Sequence, residues 1–100
     1  MTVTVVTRWT TPDVAASTQA ASQAKVVWMK HGAKDVRLSQ IFTGPSAGQW
    51  LVAVAFADMA AYAKALAVVP TSADMKKIQA ANSKAGAVMQ EREILIGVDI

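Results

Sequence analysis

Few residues in this chain combine a reactive type with a setting that could use it. His31 is the only histidine, and its reference pKa near neutrality makes it the first candidate acid or base. It also falls at an expected helix C-terminus, where a cation is favoured by the helix dipole. No sequence neighbour supplies the orienting partner that a general base needs. Arg8 and Arg37 could fork onto a carboxylate or other oxygenated ligand, and Glu93 could pair with Arg8 across neighbouring strands. The competing reading of these three charges is a rim of ion pairs that fixes the register of two packed copies. Among the aromatics, Trp9, Trp50, Phe42 and Phe56 fit apolar stripes and read as core. Trp28 and Tyr62 lie on helices and each carries a polar atom needing a partner. They are the candidates to line a ligand pocket between the first two helices and the sheet.

Composition removes several classes of chemistry. The 100 residues include no cysteine, so disulfides, thiolate metal sites and a cysteine nucleophile are out of reach. One histidine leaves a zinc site short of its three or four donors, and neither a metal nor a cofactor is implied. The formal charge is +3, but the lysines are dispersed and only Lys76 and Lys77 adjoin, so no dense phosphate-binding patch is expected. Apolar residues make up 53% of the chain, which argues for one folded domain over residues 1–100 and against disorder. No stretch approaches the ~20 apolar residues of a membrane span. The first residues alternate like a strand rather than forming a signal peptide. A cytoplasmic location is the corresponding expectation.

Those candidates must be positioned by elements that the periodicity makes legible. Val3, Val5, Thr7 and Trp9 alternate with Thr4, Val6 and Arg8, which predicts a strand over 3–9. Thr11-Pro12-Asp13 predicts a helix start with Thr11 as cap. The helix runs to about His31 and ends on a left-handed Gly32, with Val14, Thr18, Ala21, Lys25 and Trp28 as its stripe. A second strand over 35–43 carries Val36, Leu38, Gln40 and Phe42 on one face. After the Gly44–Gly48 reversal, the third strand places Trp50, Val52, Val54 and Phe56 on that same face. Asp58 caps a second helix with Met59, Tyr62, Ala63 and Leu66 inward. Thr71-Ser72-Ala73-Asp74 opens a third helix through about Ser83, with Met75 and Ile78 inward. A last strand over about 91–99 sets Arg92, Ile94, Ile96 and Val98 against Glu91, Glu93, Leu95 and Gly97.

The order βαββααβ predicts an α+β, ferredoxin-like domain: a four-stranded antiparallel sheet with helices on one face. The third strand is apolar on both faces, so the uncovered side keeps an apolar centre of Val6, Ile41, Leu51, Ala53, Ala55 and Leu95. A water-facing sheet is normally polar there, and a contiguous apolar patch marks an interaction surface. A two-fold axis makes one patch complementary to itself, so a homodimer through this face is expected. RNA binding on the same face is not: outward positions of the third strand hold Leu51 and Ala53 rather than stacking aromatics, and Gln49-Trp50 stands where a basic-glycine pair would lead.

The element order, the doubly apolar third strand and the junction Phe56-Ala57-Asp58-Met59-Ala60-Ala61-Tyr62 resemble the dimeric α+β barrel superfamily. That superfamily includes NIPSNAP-like proteins, haem-degrading enzymes and small cofactor-free monooxygenases. The resemblance implies fold and dimerisation. The Asn–Trp–His set of the haem-degrading branch is not carried over, because the only asparagine is Asn82 on the third helix. Two functions follow as expectations. One is a dimeric barrel that binds a small hydrophobic or oxygenated ligand or is purely structural. The other is a cofactor-free monooxygenase or isomerase, whose dry pocket leaves little signature in sequence.

Overall fold

The computed structural model describes all 100 residues, Met1–Ile100. β-Branched alternation forms β1 (Val3–Thr10), and helix α1 (Val14–Lys30) follows. Strands β2 (Asp35–Gln40) and β3 (Trp50–Phe56) form a hairpin, then come α2 (Met59–Leu66), α3 (Ala73–Lys84) and β4 (Val88–Ile96). The sheet is antiparallel throughout in the order β2-β3-β1-β4. The ferredoxin-like arrangement predicted from the element order is therefore the observed fold. The molecule measures 37 × 35 × 17 Å, two layers thick, with the helices on one side of the sheet. No helix is long and apolar enough to cross a membrane.

Local signals end the elements where side-chain and backbone groups demand it. Asp58 and Ser72 cap α2 and α3 through side-chain oxygens that accept from Ala61 N and Met75 N at 2.8 and 3.2 Å. The cap of α1 is Asp13 rather than Thr11. Asp13 Oδ1 accepts from Ala16 N at 3.0 Å, while Thr11 Oγ1 accepts from Asp13 N at 3.2 Å and so supports the cap from outside. Gly32 follows α1 with φ of 100°, the left-handed conformation that favours glycine.

The core gathers Val3, Val5, Val36, Val54 and Phe56 from the sheet against Val27, Tyr62, Ala65, Val69 and Met75 from the helical layer. Several expected core residues lie elsewhere. Phe42 is 92% exposed. Pairing of β2 with β3 stops at Gln40 opposite Trp50, and the turn closes through Ile41 N to Gln49 O and Gly48 N to Ile41 O. Phe42 is therefore left with no sheet beneath it. The last strand begins and ends about three residues earlier than its alternation predicts. β1 offers Trp9 and Thr10 to pair with Met89 and Val88, whereas beyond Ile96 only Gly97 N reaches back, to Thr2 O at 2.8 Å. A register shift between Arg8 and Trp9 accommodates Gln90. Ile94 and Ile96 lie on the helix side, opposite Val5 and Val3, yet both are exposed, as is Val98. β4 is an edge strand that the helices do not cover. On α1 the fully buried positions are Ala20 and Val27, while Val14, Thr18, Ala21 and Trp28 of the expected stripe face the space between helices and sheet and Lys25 does not. On α2 the fully buried positions are Tyr62 and Ala65; Leu66 also faces the interior, though incompletely buried, whereas Met59 and Ala63 do not.

Candidate functional site

The alanines that make α1 thin determine the interior on the helix side. Ala20, Ala21 and Ala24 face the sheet where longer side chains would fill the gap, and a chamber of about 160 Å³ remains between the helix layer and the sheet. Twenty-five residues line it, 17 of them hydrophobic. Its inner wall is aromatic: Phe56 sits between Trp28, at 5.9 Å between ring centroids and 79° between planes, and Tyr62, at 5.3 Å and 51°. Edge-on and tilted pairs of this kind use the ring quadrupole favourably. Trp9 and Trp50 are cross-strand partners in β1 and β3 and floor the other end with Leu38. All three are incompletely buried, so this end meets solvent.

Polar groups gather along the C-terminal half of β1. Arg92 is the only charged residue in the lining. It lies opposite Thr7 in the register, and its Nε donates to Thr7 Oγ1 at 3.1 Å. Ser17 Oγ stands 2.7 Å from Thr11 Oγ1 and 2.8 Å from Asn82 Oδ1. The amide oxygen can only accept, so the Ser17 hydroxyl donates to it. That bond ties the start of α1 to the end of α3 and leaves the Asn82 amide nitrogen as a donor. The arrangement suits a flat, mostly apolar molecule with oxygen at one end. Such a division of labour between apolar walls and a few polar groups is typical of small-molecule sites.

The residues singled out from sequence divide between this chamber and the rest of the surface. Trp28 and Tyr62 line it. His31 follows the last turn of α1, with its backbone N–H on Trp28 O at 3.1 Å, and is not part of the lining. Arg8 and Arg37 lie on the opposite, uncovered face of the sheet and are already engaged. Arg8 Nη2 contacts Glu91 Oε2 at 2.6 Å, and its Nη1 donates to Ser46 Oγ at 3.1 Å. The partner expected for Arg8 was Glu93, but the register sets Glu91 opposite Arg8 and Glu93 opposite Val6. Arg37 Nε donates to Asp35 Oδ2 at 2.6 Å, and that hydrogen bond holds the Asp35 carboxyl below its ordinary pKa. No three His, Asp or Glu side chains converge as metal ligands.

On the uncovered face the register aligns Val6 with Ala53, Arg8 with Leu51, and Thr4 with Ala55 and Leu95. Ile41 lies just beyond the end of β2, half-buried. Sequence reasoning missed Arg92 and Asn82 as part of the chamber. The available signal for Arg92 was a lone cation in the otherwise apolar helix-side stripe of β4. Asn82 had none, since a polar residue late in a short helix ordinarily faces water.

The fold defines the class: a single ferredoxin-like α+β domain, here with a chamber between its helices and its sheet. Among solved structures, SnoaB, a cofactor-independent oxygenase from Streptomyces nogalater, is similar with a TM-score of 0.73 at 14% identity, over 99% of this chain and 95% of that one. A dabb family protein with a ferredoxin-like fold from Mesorhizobium loti is similar with a TM-score of 0.63 at 12% identity, over 99% and 97%. At these identities the likeness establishes the fold. No curated protein matches the chain. Residues 1–94 match the model of a domain of unknown function, DUF6854, and the chain belongs to that family.

Proposed function

We propose that this protein binds a small, largely apolar, oxygenated ligand in the chamber between its helices and sheet, and that it works as a homodimer packed through the uncovered sheet face. The chamber carries the first part. About 160 Å³ in a chain of this size is comparable to an engineered cavity of about 150 Å³ that takes up benzene. The purely structural alternative fits a solid interior better. The second part rests on the apolar centre formed by Val6, Leu51, Ala53 and Ala55, which a second copy would remove from water. The sequence favours the cytoplasm as its location.

The experiment is a titration of tryptophan emission with single-ring phenols, arylcarboxylates and their neutral analogues, since Trp9, Trp28 and Trp50 all line the chamber. It is paired with mass spectrometry of solvent extracts of the purified protein. Saturable changes are expected, and Ala21→Phe, which fills the chamber, should abolish them while leaving the circular dichroism spectrum unchanged. Emission that no compound alters, with nothing extracted, would overturn the reading in favour of a structural role.

A second reading, cofactor-free oxygenation or isomerisation in the same chamber, has one observation in its favour. Arg92 and Asn82 both bring donors to the lining, and donors are what stabilise the enolate or phenolate charge that both chemistries develop. Oxygen uptake or product formation with a ligand that binds would establish it.

A further inference from the structure

We propose that the chamber selects its ligand as an oxyanion: a single aromatic ring carrying a phenolate or carboxylate, with the anionic oxygen on Arg92 and the ring among the aromatic walls. This inference rests on the ligand-binding reading above and specifies the ligand class.

Size sets the ring count. A chamber of about 160 Å³ encloses one ring, by comparison with benzene in about 150 Å³. A fused polycycle would protrude past Trp9 and Trp50 into solvent. Charge sets the substituent. Arg8 and Arg37 are each paired with a carboxylate at 2.6 Å, whereas Arg92 has no such partner. Its Nε is used by neutral Thr7, which leaves both terminal amino groups of a guanidinium fork for a ligand. Asn82 adds a donor, because Ser17 already occupies its amide oxygen. A site made of donors with no competing acceptor charge favours an anion.

The ligand must also arrive ionised. The polar groups that share the lining with Arg92 are neutral: its cross-strand partner Thr7 from β1, Thr11 just beyond β1, Ser17 and Thr18 from α1, and Gln79 and Asn82 from α3. From α2 comes Tyr62, the only other titratable side chain in the lining. Glu91 and Glu93 flank Arg92 in sequence but project to the other face of β4, opposite Arg8 and Val6. No carboxylate or imidazole lines the chamber to take a proton from the ligand near neutral pH. Affinity for a weakly acidic ligand should therefore rise with pH as that ligand ionises, and follow the ligand's pKa rather than one belonging to the protein.

The test compares benzoate with benzamide, near-isosteres that differ in charge, by calorimetry on the full chain near neutral pH. Benzoate is expected to bind about tenfold tighter, the modest end for a charged hydrogen bond at a solvent-accessible guanidinium. Arg92→Gln should remove that preference, bringing the benzoate affinity down to that of benzamide measured in the same variant. Arg92→Lys, which keeps the charge but not the fork, should retain part of it. For 4-nitrophenol, affinity should increase through its own ionisation in the wild type and be flat with pH in Arg92→Gln. Equal affinities for benzoate and benzamide in the wild type, or a preference that survives in Arg92→Gln, would overturn the assignment of an oxyanion to Arg92. Binding of neither compound would overturn the ligand-binding reading as well.

Discussion

At the scale of single residues, the charges on this sheet differ by what faces them. The Asp35–Arg37 pair is exposed, and Asp35 has its pKa lowered chiefly by the hydrogen bond from Arg37, with the Arg37 charge adding to the effect. A carboxylate whose pKa is depressed on folding contributes stability above its unfolded value of about 3.9, and that contribution is lost as pH falls through the folded value. Carboxyl NMR titration should place Asp35 below the usual range, and Arg37→Ala should return it upward; an unmoved midpoint would show that the pair does not persist in solution. The strand period assigned Arg8 and Arg37 to one face and made a cross-strand acid legible for Arg8. It named no partner for Arg37, whose pair with Asp35 lies within its own strand. It named the wrong acid for Arg8, Glu93 in place of Glu91, because that choice depends on a register that only the paired strands define. Arg92 was legible as inward-facing but not as a site, since nothing in the strand pattern reveals that the alanines of α1 leave space above it.

At the scale of elements, period and caps placed all seven, and the departures arise where one element depends on another. β2 stops early because the Gly44–Gly48 turn draws the chain away from the sheet, and β4 begins early because β1 has Trp9 and Thr10 to pair. The connector before β4 is set by a close approach. Gly86 has φ of 93°, and a Cβ there would come within 2.8 Å of Pro12 Cγ, just ahead of α1. Gly32 has a similar φ of 100° but open space around it. Alanine at Gly32 should cost only the backbone strain, about 1–2 kcal/mol. Alanine at Gly86 adds a clash with a stiff ring and should cost more, about 2–3 kcal/mol. Urea denaturation of the two variants compares them directly. Equal losses would mean that Pro12 moves aside and that the junction between α1 and β4 is looser than its geometry implies.

At the scale of the molecule, one sheet presents two different apolar surfaces because β3 is apolar on both faces. Trp50, Val52, Val54 and Phe56 face the helices and line the chamber, while Leu51, Ala53 and Ala55 face away from them. The register runs Glu93, Val6, Ala53 and Arg37 across the uncovered side, with charges at the two edge strands and apolar residues between them. A patch of this composition suits burial at its centre and solvent at its rim, the anatomy of a protein interface. The small side chains at 53 and 55 permit close approach of a second sheet. Because the chamber lies on the other side of the sheet, the proposed assembly and the proposed binding can be tested separately. Ala53→Asp would put a carboxylate in the middle of the proposed interface, where burying an unpaired charge is costly. The variant should be monomeric by light scattering at concentrations where the wild type is dimeric, and its benzoate affinity should remain near that of the wild type. A variant that stays dimeric would place the interface elsewhere. Loss of ligand binding on dissociation would mean that the second copy shapes the chamber through the sheet, so that the two faces of β3 act as one site.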